Sequence, residues 1–556
     1  MHAFTRRAVL GAGIAVAGGS GPLTSCSAPS SASDDSHGSR AGSGDAGAPA
    51  AAAEPAAPQD GGYVSPHGEE VAAAHRERGP VREIRLTATT TSLNLGARTV
   101  RTWAYDDELP ARPIRVTAGD TLAVRVANHL PHSTTVHWHG ISLRNDMDGV
   151  PGVTQPPIKA GASFDYRFTV PDPGTYWFHP HSGVQLDRGL YAPLIVDDPR
   201  EPLEYDEEWI VVLDDWVDGV DGSTPDEVLD ELGGGMAGMH GMDDTGSGDD
   251  PGNGSGKGGR DASGNDGDGD GDGPRPPRTG PSRILRGARS RLLGGDPGNV
   301  AYPYYLVNGR TADDPRTFRA KPGDRVRIRI INAGGDTAFR VALGGHTMTV
   351  THTDGFPVEH TTTDTLLLGM AERYDVVVTA QDGVFPLIAL AEGKGHAAMA
   401  LLRTSESAGA PLPSVRPKEL DGRLITADQL RAAEDVRLKP RDPDRTIRMR
   451  ITGSMKKYDW AINGKPYDPS QRYPVRAGER VRLSFINGTD MWHPMHLHGH
   501  TFQLPDGGPR KDTTILLPHQ KVNVDFDAEN PGLWMVHCHN VYHSESGLMT
   551  IIGYRK

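Results

Sequence analysis

Cysteine is almost absent from this chain of 556 residues, which has only Cys26 and Cys538. Cys538 lies between two histidines, a pattern typical of metal binding, so we do not expect a disulfide between the two cysteines. The chain is rich in glycine and proline, which indicates many turns. At this length a single core is excluded, and we expect two to four domains.

Basic residues are fewer than acidic residues. The chain has 58 Lys and Arg residues against 72 Asp and Glu residues, a net charge of −14, and this excess of acid argues against nucleic acid as a partner. Much of the negative charge lies in residues 233–295, a segment dominated by Gly, Asp, Pro and Ser. We interpret it as a disordered insertion that follows the first element of a second domain, Trp209–Trp216.

The N-terminus has no apolar run long enough to remain in a bilayer as a helix. The run Ala8–Ala17 is short and follows Arg6 and Arg7, a pattern that resembles a twin-arginine signal for proteins exported in the folded state. Such export suits a protein that is loaded with metal beforehand. An ordinary secretory signal is the alternative, and either signal predicts a location outside the cell or at its surface.

A second targeting pattern follows the apolar run. Leu23–Cys26 resembles a bacterial lipobox, in which the cysteine is lipidated after cleavage. On this hypothesis residues 1–26 are the export signal, and lipidated Cys26 tethers the protein to a membrane. Residues 27–80 would then be a disordered tether. The alternative is a chance cysteine close to a plain cleavage site.

A ten-residue pattern occurs three times along the chain. Each copy has a Gly-acid turn, alternating apolar positions and a closing Asn, and the copies are Gly119–Asn128, Gly323–Asn332 and Gly478–Asn487. Alternation with period two predicts a strand with one buried face. Short strands and turn signals continue after each copy. We therefore predict β-sandwich domains at 81–200, 201–404 and 441–556, with a linker at 405–440.

Four His-X-His pairs occur in two groups that are far apart in the chain. The pairs are His137 with His139, His179 with His181, His496 with His498, and His537 with His539. Two pairs lie in the first domain, two occupy matching positions in the third, and the middle domain has none. If the first and third domains face each other, the four pairs meet across one interface, and the middle domain is a spacer that fixes the angle between them.

In a strand, residues i and i+2 point to the same face, so both imidazoles of a pair point one way and the middle residue points the other. In His537–His539 the middle residue is Cys538, which would therefore face a second metal inside the third domain. His493 and His543 flank the last two pairs. One Cys with two His is the trigonal ligand set of a blue copper site, and imidazole with thiolate favours copper.

These motifs stand in the order found in three-domain multicopper oxidases, and the chain resembles the bacterial laccase-like members from its first repeat to its C-terminus. The resemblance implies an all-β fold of three consecutive cupredoxin-like β-sandwich domains, with the disordered N-terminal and internal segments described above. It also implies four copper ions as cofactors. The implied ligands are His493, Cys538 and His543 for type 1 copper, His137 and His496 for type 2, and His139, His179, His181, His498, His537 and His539 for the type 3 pair.

The resemblance places three further residues near the metals. The family's axial residue for type 1 copper lies ten positions after the cysteine, which is Leu548. An aliphatic side chain cannot donate to copper, so we expect a fairly high reduction potential, and strand alternation disfavours a shift that brings in Met549. Asp148 occupies the place of a family acid near type 2 copper. Glu545 follows the position of a second acid, which is Ser544 here, so the second proton donor stays open.

The leading hypothesis is an oxidase that takes single electrons from phenols, aromatic amines or similar small donors and reduces O2 to water. His543 or His493, near the surface, would receive those electrons. A cuprous oxidase in copper tolerance is one alternative, although the Met content of residues 236–242 is modest for that group. A non-catalytic copper-binding protein of the cell surface is an alternative of another class. We expect a monomer.

Overall fold

The structure is a computed structural model that describes residues 62–75, 79–96, 98–234, 280–406 and 408–556. In those ranges the chain forms mostly β-strands, arranged in six sheets. The predicted export signal, Cys26, most of the predicted tether and most of the predicted insertion lie outside the described residues. Within the described ranges, no helix is long and apolar enough to cross a membrane.

Eight strands form the first sandwich: β1 (Val81–Asn94), β2 (Thr99–Tyr105), β3 (Ile114–Thr117), β4 (Thr121–Asn128), β5 (His137–His139), β6 (Ser163–Thr169), β7 (Gly174–His179) and β8 (Ala192–Asp197). They make two sheets, in the orders β2-β1-β4-β6 and β3-β8-β7-β5. Trp138, the middle residue of a histidine pair, is buried between the sheets. Its ring centroid lies 5.1 Å from those of Phe168 and Phe178. The tripeptide therefore anchors in the core while its imidazoles face outward from it.

Twelve strands form the second sandwich: β9 (Glu207–Trp216), β10 (Tyr304–Val307), β11 (Arg316–Arg319), β12 (Arg325–Asn332), β13 (Phe339–Leu343), β14 (Met348–Thr353), β15 (Phe356–Thr363), β16 (Thr365–Leu368), β17 (Arg373–Thr379), β18 (Val384–Ala391), β19 (Ala397–Arg403) and β20 (Leu424–Ile425). The sheet orders are β10-β9-β12-β17-β14-β15 and β11-β19-β18-β13-β16-β20. The element predicted at Trp209–Trp216 is strand β9. Strand β20 belongs to the segment predicted as a linker.

Eleven strands form the third sandwich: β21 (Arg445–Thr452), β22 (Ala461–Ile462), β23 (Arg472–Val475), β24 (Arg480–Asn487), β25 (His493–Leu497), β26 (Phe502–Gln503), β27 (Arg510–Lys511), β28 (Thr513–Leu516), β29 (Lys521–Asp527), β30 (Leu533–Cys538) and β31 (Met549–Tyr554). The sheet orders are β22-β21-β24-β29-β26-β27 and β23-β31-β30-β25-β28. The first histidine of each of the last two pairs lies on one of two neighbouring strands, His496 on β25 and His537 on β30.

The ten-residue repeat forms the equivalent strand in each sandwich. Strands β4, β12 and β24 each pair in parallel with an earlier strand and antiparallel with a later one. The closing Asn has the same role in all three copies, because its side-chain amide donates to the carbonyls of the loops that follow. Asn128 donates to the carbonyl of Ile158 at 2.8 Å, Asn332 to that of Thr337 at 2.9 Å, and Asn487 to that of Met491 at 2.7 Å. The repeat therefore encodes both a strand and the loop beside it.

Short helices connect or flank the strands. The α-helices in the described ranges are α1 (Glu69–Ala74), α2 (Pro225–Gly233) and α3 (Val541–Glu545). In the same ranges the 3₁₀ helices are Asn145–Met147, Gly183–Asp187, Lys418–Asp421, Ala427–Gln429 and Glu434–Val436. Asn540 caps the N-terminus of helix α3, because its side chain accepts hydrogen bonds from the backbone N–H groups of Tyr542 and His543. This cap places His543, a predicted ligand, in the first turn of α3.

Two predicted boundaries are wrong. The predicted tether includes residues 62–75, but Val71 of α1 is buried and the backbone N–H of Val64 donates to the carbonyl of Tyr554 at 2.8 Å. The predicted insertion includes residues 280–295, but Leu293 is buried in a cluster with Trp492. In both cases a few apolar residues at the end of a polar segment are enough to pack against the sandwiches, and composition averaged over the segment hides them.

Candidate metal centre

The four histidine pairs meet at the interface between the first and third sandwiches. Strand pairing aligns His137 with His179 in one sandwich and His496 with His537 in the other. Across the interface, the rings of His137 and His498 stack with centroids 3.8 Å apart, and those of His139 and His496 do the same. Each sandwich therefore supplies half of one imidazole cluster, as the internal symmetry of the sequence predicted.

Donor atoms of the cluster converge in groups of three. In each group, one nitrogen or oxygen atom of every residue lies within 4.8 Å of the corresponding atoms of the other two. The groups are His137, His139 and His179; His137, His496 and His498; His181, His498 and His537; and His139, His496 and Asp512. The eighth imidazole, His539, lies beside them, with its ring centroid 5.0 Å from that of His139. The cluster is large enough to involve more than one metal ion.

Hydrogen bonds to one ring nitrogen orient these imidazoles. The Nδ1 atom of His137 lies 3.0 Å from the carbonyl oxygen of Asp148, and that of His496 lies 2.9 Å from the carbonyl oxygen of Asp512. The Nε2 atoms of both rings are buried and have no hydrogen-bond partner among the described residues, and the same holds for His181 Nε2 and for both nitrogens of His539. Because an unpaired buried nitrogen costs free energy, these lone pairs fit metal ions, and the donors suit copper.

Burial disfavours the charged form of six imidazoles of the cluster. Desolvation, followed by repulsion from neighbouring imidazoles, lowers the pKa of each ring well below its ordinary value in His139, His179, His498, His537 and His539. For His181 the same causes lower the pKa to about 3. Neutral imidazoles have free lone pairs, so no proton has to leave these rings when a metal binds.

A second, smaller donor set lies inside the third sandwich. The Nδ1 atoms of His493 and His543 are 3.1 Å apart, and the Cys538 Sγ atom lies 3.6 Å from the first and 3.8 Å from the second. Burial raises the pKa of the Cys538 thiol, so a metal ion must displace its proton. The sulfur faces this set while the flanking His537 and His539 face the large cluster. The tripeptide therefore connects the two sites covalently.

Leu548 and Met549, the two candidates for the predicted axial position, lie in different surroundings. Leu548 is fully buried in the main hydrophobic core together with Cys538, and its carbonyl accepts from the Cys538 N–H at 3.1 Å. Met549 instead packs in a separate cluster with Met535 and Ile551. Consecutive residues thus point to opposite sides, as strand alternation predicted.

The expected surface position of the small site is wrong. His493 and His543 have 0% of their surface exposed. The Nε2–H group of His543 donates to Asn299 Oδ1 at 2.6 Å, and the Trp460 ring lies 4.4 Å from that of His543. The middle sandwich therefore covers the ring edge that spacing alone left open to solvent.

The two predicted acids occupy different places. Asp148 lies between the sandwiches, with its carboxylate 2.9 Å from His498 Nδ1 and 3.2 Å from His137 Nδ1. Glu545 lines a cleft of about 420 Å³ together with His181. Burial raises the pKa of Glu545 to about 7. One acid is therefore in direct contact with the cluster, and the other is at the edge of an opening toward it.

The sequence reasoning missed Asp512. Its carboxylate lies 3.0 Å from His139 Nε2 and accepts from Arg373 at 2.6 and 2.7 Å. Burial alone would raise the pKa of Asp512, but the Arg373 guanidinium and the His139 ring hold it well below its ordinary value. Gly140 permits this contact, because a Cβ atom there would lie 2.6 Å from both Arg373 and Asp512. The only signal in the sequence was the glycine that follows the first histidine pair.

Comparison with known proteins gives matches along most of the chain. Family models described as multicopper oxidase match residues 87–201, 288–407 and 440–555. Multicopper oxidase MmcO of Mycobacterium tuberculosis is 46% identical over 99% of this chain and 97% of its own length. A copper resistance protein A homolog of Pseudomonas syringae pv. tomato is 27% identical over 84% of this chain and 91% of its own.

A solved structure is similar over the same range. The multi-copper oxidase from Pseudomonas thermotolerans has a TM-score of 0.62 and 25% identity, and the match covers 86% of this chain and all of that one. The predicted all-β fold of three consecutive cupredoxin-like sandwiches is confirmed.

Proposed function

Because the chain belongs to the multicopper oxidase family, we propose that it is a laccase-like oxidase, which takes single electrons from phenols, aromatic amines or similar small donors and passes them to O2. The observation that carries this proposal is the His537–Cys538–His539 tripeptide, whose sulfur faces the small site and whose imidazoles face the large cluster. Copper storage requires no such connection between sites. Copper, when bound, supplies one-electron redox chemistry at both sites.

The proposed assignment uses four copper ions. The small site would hold type 1 copper through His493, Cys538 and His543, with Leu548 at the axial position. The large cluster would hold the other three. Its proposed ligands are His137 and His496 for type 2 copper, and His139, His179, His181, His498, His537 and His539 for the type 3 pair. The convergence of donor atoms and the unpaired buried nitrogens of His137, His181, His496 and His539 support this assignment.

Two carboxyl groups are proposed as the source of protons for oxygen reduction. Asp148 contacts His137 and His498 directly, so it would hold a proton next to the cluster. Glu545 shares its cleft with His181, so it would bring protons from solvent to the cluster. Fixed groups of this kind replace the random delivery of protons by water.

Glu545→Gln is expected to lower the rate of oxygen uptake about 100-fold, since the amide cannot release a proton and positioned acids usually contribute at least this much. Anaerobic reduction of the Cys538 site by a donor should keep its parent rate. Both rates would be measured by stopped-flow spectroscopy and an oxygen electrode. Glu419→Gln, a buried glutamate of the middle sandwich, is the control. Equal oxygen uptake in the two variants would rule out a role for Glu545.

Leu548→Met is expected to lower the reduction potential of the Cys538 site, because a thioether can donate to Cu(II) where an aliphatic side chain cannot. Redox titration of the absorption band of this site gives the potential. Met549→Leu is the control, because Met549 packs on the opposite side with Met535, and it should leave the potential unchanged. A shift in the control and none in Leu548→Met would mean that Met549 is the axial residue.

A cuprous oxidase is the second candidate, and one contact favours it. Met455 Sδ lies 3.0 Å from Asn299 Nδ2, and the Oδ1 atom of the same amide accepts from His543. Thioethers suit Cu(I), so Met455 places a soft donor two hydrogen bonds from a proposed type 1 ligand. One relative is named for copper resistance.

Oxygen uptake with a phenol and with Cu(I), measured on one copper-counted preparation, distinguishes these functions. The laccase-like proposal expects turnover with the phenol. Turnover with Cu(I) alone would favour the second candidate. No oxygen uptake from fully loaded protein with any strong donor would contradict both and leave a copper-binding protein without turnover.

A further inference from the structure

We propose that the middle sandwich controls the type 1 site, with Asn299 and Asp336 as positioning residues that set the reduction potential of the bound copper. The inference rests on the proposed binding of copper by His493, Cys538 and His543. The sequence predicted only a spacer role for the middle domain, because that domain has no His-X-His pair. A chain of buried hydrogen bonds begins at the His543 ring and leads into the middle sandwich.

Asn299 holds the outer edge of that ring. Its Oδ1 atom accepts from His543 Nε2–H at 2.6 Å and from the Tyr458 hydroxyl at 3.2 Å. Its Nδ2 atom contacts Met455 Sδ. The orientation of the amide is fixed, because two donors face its oxygen and a sulfur faces its nitrogen. Because the proton is then on Nε2, the Nδ1 lone pair of His543 points toward the Cys538 sulfur.

Asp336 fixes the backbone of Asn299. Its carboxylate accepts from the Asn299 N–H at 2.8 Å and from the Val300 N–H at 3.0 Å. Lys394 balances the buried charge, with Nζ 2.7 Å from the same carboxylate. The amide that contacts His543 is thus held by an ion pair inside the middle sandwich.

The Asp336 carboxylate also positions the backbone of His543, through Asn540. Asn540 donates from Nδ2 to Asp336 Oδ1 at 2.6 Å, while its own Oδ1 caps helix α3 by accepting from the Tyr542 and His543 N–H groups at 3.1 and 3.3 Å. The Val541 N–H donates to the carbonyl of Gly335, the neighbour of Asp336, at 3.0 Å. One acid of the middle sandwich therefore fixes both the ring and the backbone of a type 1 ligand.

This arrangement has an electronic consequence. An acceptor on the remote N–H of a ligand imidazole makes the ring more basic, and a more basic ring stabilises Cu(II) relative to Cu(I). Removing the acceptor should therefore favour the reduced form. A purely structural contact would change the stability of the protein without this redox effect.

Asn299→Leu tests the inference, because leucine has nearly the same size and no acceptor. We expect the equilibrium constant for reduction of the Cys538 site, measured against a redox dye, to rise about tenfold. Asn299→Asp keeps an acceptor oxygen at this place, so the equilibrium constant for reduction should not rise in this variant. Asn540→Ala removes the link to Asp336 without disturbing its ion pair, and a smaller shift in the same direction is expected. Asn94→Ala, an exposed Asn in strand β1, is the control.

An unchanged equilibrium constant in fully loaded Asn299→Leu would overturn the inference, and so would an equal shift in Asn94→Ala. The parent protein separates this failure from failure of the proposed function. If the parent binds no copper at Cys538, the proposed function fails. If the parent binds copper and consumes oxygen while Asn299→Leu keeps the parent potential, only the role of the middle sandwich fails.

Discussion

Cys538→Ser is expected to remove the blue colour proposed for the copper-loaded Cys538 site and to lower turnover with organic donors at least 1,000-fold. Removal of a residue essential to an enzyme's chemistry costs roughly 10⁴–10⁶-fold. A hydroxyl is neither as soft nor as easily ionised as a thiol, so it replaces neither the copper ligand nor the path through sulfur. The Cys538 sulfur lies 3.6 Å from His493 Nδ1 and 3.8 Å from His543 Nδ1. Peptide bonds join the residue to His537 and His539, whose imidazoles belong to the large cluster.

The histidine cluster should survive this substitution. Its donors are imidazoles on β5, β7 and β25, on the residues just after β7 and β25, and on the tripeptide. The hydrogen bonds that orient them use backbone carbonyls rather than the Cys538 side chain. Copper analysis should therefore show the loss of about one ion per chain, with the rest retained. Cys26→Ser, which removes the other thiol of the chain, is the matched control and should keep colour and turnover. Retained turnover in Cys538→Ser would contradict the proposed electron path.

The sequence contained the parts of the fold and site that depend on local periodicity. The strand alternation of the three repeats gave the three sandwiches, and His-X-His spacing gave the direction of each imidazole. Because i and i+2 share a face, the opposite direction of Cys538 also followed. These features need only the geometry of one strand and the similarity between two domains.

The contacts that hold the site from the middle sandwich had no such signal. Asn299, Arg373 and Asp336 lie in segments whose spacing to the ligands is arbitrary, and each acts through a single side chain that crosses a domain interface. Only the three-dimensional arrangement of the sandwiches brings them to the ligands. The expectation of an exposed His543 failed for the same reason, since Asn299, which covers the outer edge of its ring, comes from another domain.

Asp512→Asn is expected to destabilise the protein by about 3–5 kcal/mol, the usual cost of removing one partner from a buried ion pair. Arg373 and Asp512 are both 0% exposed and make two hydrogen bonds at 2.6 and 2.7 Å. Urea unfolding of the copper-free protein measures this effect without a contribution from the metal. Asp525→Asn is the control, because its pair with Arg482 is partly exposed, and it should cost no more than about 1 kcal/mol.

Asp512→Asn should also weaken copper binding by the histidine cluster, by roughly 10–100-fold. The carboxylate lies 3.0 Å from His139 Nε2 and 3.5 Å from His496 Nδ1, so one charge orients a ligand from each of two sandwiches. The double variant Asp512→Leu with Arg373→Met separates the two effects. Apolar residues in place of a buried pair should recover much of the stability, but they cannot orient the imidazoles, so copper affinity should stay low. If copper affinity recovered together with stability, Asp512 would contribute only to folding.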